Sequence, residues 1–222
     1  MKALSVAQIR EADRRCIEEL GIPGAVLMDH AGAAVFHEVR PGAVGVVCGK
    51  GNNGGDGFVV ARYALAAGQP TSVILLADPD EVRGDAALFM NAYRRLGGEI
   101  VIARNEPALK SAYASLGGCA TLVDAILGTG VRGEVRGFLR EAIEYWPKGY
   151  TVAVDVPSGM DADSGAPCGC CLKADVTVTF QFPKRGFENP AAAPYLGRLV
   201  VADIGIPPVC ADDEAWRRLM QK

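Results

Sequence analysis

Apolar positions along this chain follow two alternating periods, and the alternation predicts an architecture. From Ser5 to Leu20 the residues Val6, Ile9, Ile17 and Leu20 recur near helical spacing, with Ser5 suited to cap the start and Gly21 the end. A second helix is predicted after Pro23, running to about Val39. "AVGVVCG" (43–49) is a short apolar run stopped by glycine, as in a strand buried on both faces. "GFVVARYALAAG" (57–68) then reads as an amphipathic helix closed by Gly68. The exchange continues with strands in 71–78, 99–103, 120–127 and 150–156, separated by helices over Glu81–Leu96, Glu106–Leu116 and about Phe138–Tyr145. Two further strands are predicted in 174–180 and 197–204. Strands and helices taking turns at this spacing predict a Rossmann-like three-layer α/β/α fold with a mostly parallel, doubly wound sheet. No Pro/Gly/Ser linker and no internal repeat interrupts the series, so one domain over 1–222 is expected.

Composition narrows the function classes. Half of the 222 residues are apolar, and 23 basic against 26 acidic side chains leave a formal charge of only -3. No global field attracts nucleic acid or an anionic membrane, so neither is expected as a partner. The N-terminal stretch has no apolar signal core and no run of eighteen apolar residues occurs, so a cytoplasmic location is expected. Seven cysteines, at 16, 48, 119, 168, 170, 171 and 210, lack the paired spacing of a zinc site and are expected as free thiols. Cys168, Cys170 and Cys171 have no fourth ligand nearby and read as a cysteine-rich loop. His30 and His37, without a third ligand, read as ordinary surface or core residues.

Ligands in doubly wound sheets bind beyond the carboxyl ends of the strands. Three loops there carry candidate chemistry. Gly49, Gly51 and Gly54 fit the dinucleotide fingerprint G-x-G-x-x-G between a strand and a helix, and Asp78 ends the next strand where an acid would take ribose hydroxyls. A dehydrogenase is one reading of this stretch, and a tight glycine turn without a ligand is another. Asn52, Asn53 and Asp56 place amides and a carboxylate where a pyrophosphate cradle favours small uncharged residues, which points to a cation or a hydroxyl. The lysine-bearing pattern G-x-x-x-x-G-K-[ST] is absent. In "VDAILGTGVRGEVRG" (123–137), Gly128, Thr129, Gly130 and Arg132 offer N–H groups, a hydroxyl and a guanidinium to phosphate, against a flexible loop with a solvated Arg132/Glu134 pair. In "VAVDVPSGMDADSG" (152–165), Asp155 ends an apolar strand. A carboxylate there needs a partner, a cation or a substrate proton, which makes it the acid/base candidate. Asp161 and Asp163 read as solvated turn residues, and the calcium-loop pattern fails for want of its glycine and closing glutamate.

With the three loops read, five stretches stand in order between residues 27 and 186: "LMDHAG", "GKGNNGGDGFVVAR", "VDAILGTGVRGE", "VAVDVPSGMDADSG" and "ADVTVTFQFPKRG". On these the chain resembles the NAD(P)H-hydrate epimerases, the YjeF N-terminal domain family. The resemblance implies an isomerase that interconverts the R and S forms of NADHX and NADPHX, damaged cofactors with a hydroxyl at C6 of the nicotinamide ring. It also implies a Rossmann-like fold and a homodimer. By the same resemblance the hydrate would be bound by Asn52, Asn53, Gly54, Gly55 and Asp56, by Gly128, Thr129, Gly130, Val131, Arg132, Gly133 and Glu134, and by Asp155. One potassium ion per subunit would be held by Asn53, Asp124 and Ser158 with backbone carbonyls, an oxygen set suited to a hard cation. Asp155 is the expected proton shuttle, and Lys184 in "FPKRG" is a ligand contact or merely a strand end. Longer bacterial members fuse this domain to an ADP- or ATP-dependent dehydratase, so that activity is expected on another polypeptide or on a missing part of a fusion. The same domain also occurs as a scaffold in mRNA-decapping factors and in an apolipoprotein-binding protein. A mere interaction surface has no use for Asn53, Asp124, Asp155 and Ser158 together, which favours the enzyme.

Overall fold

Each short apolar run becomes a parallel strand, because a run buried on both faces has no polar side to turn toward water. In the computed structural model, which describes residues 2–221, seven strands form one sheet in the order β3-β2-β1-β4-β5-β6-β7. They are β1 (Val44–Cys48), β2 (Thr71–Leu75), β3 (Ile100–Ile102), β4 (Thr121–Ala125), β5 (Thr151–Val154), β6 (Val176–Phe180) and β7 (Arg198–Ala202). Every pairing is parallel, so the sheet is wholly rather than mostly so. All residues of the central strands β1, β4 and β5 are buried.

The helices are α1 (Val6–Arg14), α2 (Gly24–Phe36), α3 (Asn52–Ala66), α4 (Gly84–Arg95), α5 (Glu106–Ser115), α6 (Gly137–Glu144), α7 (Ala193–Leu196) and α8 (Asp213–Met220). Two apolar cores make the outer layers. Met28, Phe58, Val59 and Phe89 from α2, α3 and α4 pack on one face of the sheet, and Leu109, Tyr113 and Ala142 from α5 and α6 on the other. A third cluster joins the chain ends, with Ala12 and Cys16 against Phe182, Cys210 and Trp216.

Among the predicted helices, the first and third differ most from their expected bounds. The N-terminal one is capped by Ser5 and Gln8 in a reciprocal box and ends before Gly21 at φ +76°, but past Arg14 it widens into a π turn over Arg15–Glu19. The helix predicted from Gly57 starts five residues earlier, at Asn52, so the asparagines and Asp56 lie in its first turns. Glycine makes that start possible. A Cβ on Gly54 would stand 1.9 Å from the Gly49 carbonyl oxygen, and one on Gly57 would stand 2.5 Å from Ala125 Cβ. Bare backbone thus lets α3 lie directly on β1 and β4.

The strand order reverses between β1 and β4, whose following chains depart to different neighbours. A crevice opens at that point.

Candidate functional site

A cavity of about 640 Å³ occupies this crevice. Its wall is built from the loop after β1 and the first turns of α3, the loop after β4 from Ile126 to Val131, Asp155 after β5, Phe180 at the end of β6, and Arg10 and Asp13 from α1. Among the residues singled out from the sequence, Asn52, Asn53, Asp56, Gly128, Thr129, Gly130, Val131 and Asp155 line it. Gly54 and Gly55 lie behind that wall, where a Cβ on Gly55 would meet Met28 Sδ at 2.7 Å. Arg132 and Gly133 lead away to the surface, and Glu134 pairs there with Arg136 at 2.9 Å and Arg140 at 3.4 Å. Asp78 is turned from the ribose role of the dehydrogenase reading: it caps the turn Pro79–Glu81 and pairs with Arg104 at 2.7 Å. Gly51 begins α3 without a side-chain cap, so the first-turn N–H groups and the positive end of the helix dipole stand free for an anion.

Behind the wall, Asp124 and Ser158 tie the loops after β4 and β5 together. The Ser158 hydroxyl donates to Asp124 Oδ1 at 2.5 Å, the Ser158 N–H donates to Oδ2 at 2.8 Å, and the Leu127 N–H donates to Ser158 Oγ at 2.9 Å. Both residues are fully buried. Burial pushes the Asp124 carboxyl up to about 6, against the opposing pull of the Ser158 hydroxyl and the Ser158 and Ile126 N–H groups. Next to Leu127, a Cβ on Gly128 would stand 2.9 Å from Asn53 Oδ1, and Asn53 Nδ2 is buried with no hydrogen-bond partner. The Asn53 amide oxygen, which accepts no hydrogen bond among the described residues, and a buried carboxylate with no cation beside it among them fit an oxygen-liganded monovalent cation. Among the described residues no three His, Cys, Asp or Glu side chains are grouped to hold a metal, so such an ion would rely on amide, hydroxyl and backbone oxygens.

Asp155 has a strained backbone. Its φ is +63°, and an N–H to C=O bond of 2.7 Å from Val156 to Val154 closes a tight turn across it. The turn keeps the Asp155 N–H on the Val178 carbonyl at 2.8 Å while swinging the side chain to the cavity. Its Oδ1 accepts from the Lys184 ammonium, from the Thr179 hydroxyl at 3.2 Å and from the Phe180 N–H at 3.3 Å. Lys184 is 1% exposed and is held in register by Leu4, which brackets it with hydrogen bonds to Pro183 and Arg185.

Two further carboxyls share this field. Asp56 is 8% exposed and finds no hydrogen bond among the described residues; desolvation, then the charge of Asp155, hold its proton affinity well above the carboxylate range. Asp13 is pushed up to about 6 by burial first and by Asp155 second, with Lys184 opposing. Asp13 and Arg10 escape a reading centred on glycine loops. The signal for Asp13 was nonetheless present: with Val6, Ile9 and Cys16 it falls on the apolar stripe of the first helix, where an acid is out of place.

The cysteine-rich loop belongs to the connection from β5 to β6. The backbones of Cys168 and Cys170 form an isolated antiparallel β-bridge with both thiols free, and Leu172 beyond them donates its N–H to the Ser158 carbonyl at 2.9 Å. Burial pushes all three thiols of the loop upward, so they are poor thiolate ligands.

A family model described as YjeF-related protein N-terminus matches residues 24–186. The chain is 36% identical over 216 residues to the NAD(P)H-hydrate epimerase of Rhodopirellula baltica, covering 92% of this chain and 84% of that one. It is 40% identical over 204 residues to the NAD(P)H-hydrate epimerase of Pirellula staleyi, covering 89% and 90%. To the bifunctional NAD(P)H-hydrate repair enzyme Nnr of Moorella thermoacetica it is 42% identical over 217 residues, and there it spans only 41% of the relative's length. The crystal structure of yeast ynu0 superimposes with a TM-score of 0.73 over 85% of this chain and 84% of its own, at 24% identity, a likeness of fold.

Proposed function

This chain belongs to the family of YjeF-related protein N-termini, and from that premise we propose that it is an epimerase interconverting the R and S forms of NADHX and NADPHX. The observation that carries the reading is Asp155: a strained, lysine-paired carboxylate facing the same cavity as an uncapped helix N-terminus. A nucleotide hydrate needs both. Its diphosphate suits the N–H groups of Asn52, Asn53 and Gly54 and the loop from Gly128 to Glu134, with Arg132 free to swing inward. Its C6 hydroxyl suits a proton-transfer group at the end of β5.

Asn53, Asp124 and Ser158, with backbone oxygens, would hold one potassium ion per subunit. Bound there, the ion supplies the positive charge that the buried Asp124 lacks and orients the two loops that Ser158 joins. Asp155 moves the proton at the C6 hydroxyl, and Lys184 holds its carboxylate in place. Phe180, Leu76 and Phe138 on the cavity wall exclude water around the ring.

We read the chain as one domain that pairs as a homodimer, to which Ile17, Leu20 and Val26, apolar and about two-fifths exposed on the first two helices, would contribute. The dehydratase half of the bifunctional relatives would act on its product, from a separate polypeptide or from the remainder of a fusion. Seven unpaired thiols suit a reducing, cytoplasmic setting.

The test is to supply purified (R)-NADHX and follow formation of the S epimer through an S-specific dehydratase. Conversion is expected, and Asp155→Asn should lower turnover by about 100-fold or more. Preferential binding of intact NADH with hydride transfer would establish a dehydrogenase instead, and absence of binding to either nucleotide would establish a scaffold.

A further inference from the structure

Asp13, Asp56 and Asp155 line one cavity, and a single ammonium, that of Lys184, acts on all three. Arg10 and Lys50 also line the cavity, yet the mutual repulsion of three desolvated carboxyls favours at least one proton among them. Lys184 is engaged by Asp155 Oδ1. Asp56 lines the cavity from the first turns of α3, is 8% exposed and finds no hydrogen bond among the described residues. Asp13 is half-buried and lines the cavity from α1, so like Asp155, but without its lysine pair, it combines contact with the ligand space and contact with solvent.

We propose, resting on the epimerase reading above, that Asp13 is a second catalytic residue, the exchangeable proton donor that works with Asp155 on the C6 hydroxyl. The residue lies outside the span matched by the family model, which begins at residue 24. It is nevertheless fixed to the site. Leu4 donates to the Pro183 carbonyl at 2.9 Å and accepts from the Arg185 N–H at 2.8 Å, the Val6 N–H donates to Asp163 Oδ1 at 2.9 Å, and Arg10 reaches the Thr129 carbonyl at 3.5 Å. The segment carrying Lys184 and the helix carrying Asp13 are therefore one unit.

The step balances without any oxidant or reductant. Asp13, protonated, gives its proton to the C6 hydroxyl. The C6–O bond breaks with its electron pair on oxygen, water leaves, and the ring nitrogen lone pair forms a C6=N1 double bond. Water then adds to the other face of the planar carbon; the double-bond pair returns to nitrogen, and Asp155 accepts the proton that the new hydroxyl releases. The proton returns from Asp155 to Asp13 through solvent, or directly when the reaction runs backward. A carboxyl whose proton affinity burial raises, beside one held by the Lys184 ammonium, can divide donor from acceptor. Burial raises Asp13 toward neutrality, where a donor can reload. The groups facing Asp13 are Asp56 from α3, Asp155 after β5, Lys184 after β6 and Arg10 on its own helix.

The experiment measures interconversion of separated NADHX epimers and equilibrium binding of NADHX by the wild-type chain, Asp13→Asn and Asp13→Glu. Asp13→Asn should lower kcat by about 100-fold or more and leave Kd within about threefold, the split expected of a group acting in the transition state. Asp13→Glu, which keeps the carboxyl, should recover at least about a tenth of wild-type turnover. In both directions wild-type kcat/KM should fall as pH rises through about 6, and this limb should vanish in Asp13→Asn. Turnover of Asp13→Asn within about threefold of wild type, with the limb intact, overturns the proposal. Should Asp13→Asn fail to fold, the wild-type profile decides: kcat/KM that does not fall between about pH 5 and 8 rules Asp13 out as donor. A wild-type chain that binds NADHX but never interconverts its epimers sinks the epimerase reading itself, a result separate from any effect of the variants.

Discussion

Asp155 and Lys184 are 29 residues apart in sequence, and each makes sense only beside the other. An acid at the end of an apolar strand is legible as a site, since a buried carboxylate must be answered. Which cation answers it is not legible, because that depends on β5 pairing with β6 and on Leu4 holding the Pro183–Arg185 segment in register. Lys184→Met should therefore leave an uncompensated charge and lower stability by about 3 kcal/mol, read as a reduced denaturant midpoint at unchanged slope. Asp13 illustrates the opposite case, a residue whose signal is local, an acid on the apolar stripe of the first helix. Its carboxyl titrates near 6 in the folded chain and near 3.8 unfolded, so the folded state holds the proton more tightly. That contribution is complete below about pH 4 and is lost as pH rises through about 6, on the order of 3 kcal/mol. Comparing denaturant unfolding of wild type and Asp13→Asn from pH 4 to 8 should show this loss only in the wild type; equal slopes with pH would remove it.

At the scale of the element, α3 changes the meaning of the glycine run. The fingerprint spacing was readable, but the helix start was not, because five glycines in nine residues argue against helix on propensity alone. Packing overrides propensity here. Gly54 and Gly57 let the helix backbone touch the Gly49 carbonyl and the β1–β4 surface, and those contacts exist only once the sheet has formed. Gly54→Ala should cost about 3 kcal/mol of stability through overpacking against backbone. Gly51, whose Cβ would meet open space at an ordinary φ of -92°, should tolerate alanine within about 1 kcal/mol. Similar losses for the two variants would show that the glycines serve flexibility rather than close approach.

For the whole molecule, one consequence is that Asn53 lies beside Gly128 of the loop after β4, while Asp124 and Leu127 are tied to Ser158 of the loop after β5. A potassium ion there, at about 100 times its Kd, should stabilise the folded chain by about 2.7 kcal/mol. Thermal unfolding in potassium chloride against choline chloride at equal ionic strength checks this, and Asn53→Ala should abolish the difference; equal melting in both salts would sink the cation site. The alternation of short apolar runs with helical stripes was enough to determine a doubly wound sheet and the edge at which its ligands gather, because period and burial are properties of neighbouring residues. The sharing of protons and charge was decided by tertiary structure. Residues 13, 56 and 155 are brought to one cavity, and Lys184 behind Asp155, by four separate elements, and desolvation and Coulomb interaction depend on distance in space, which no spacing along the chain expresses.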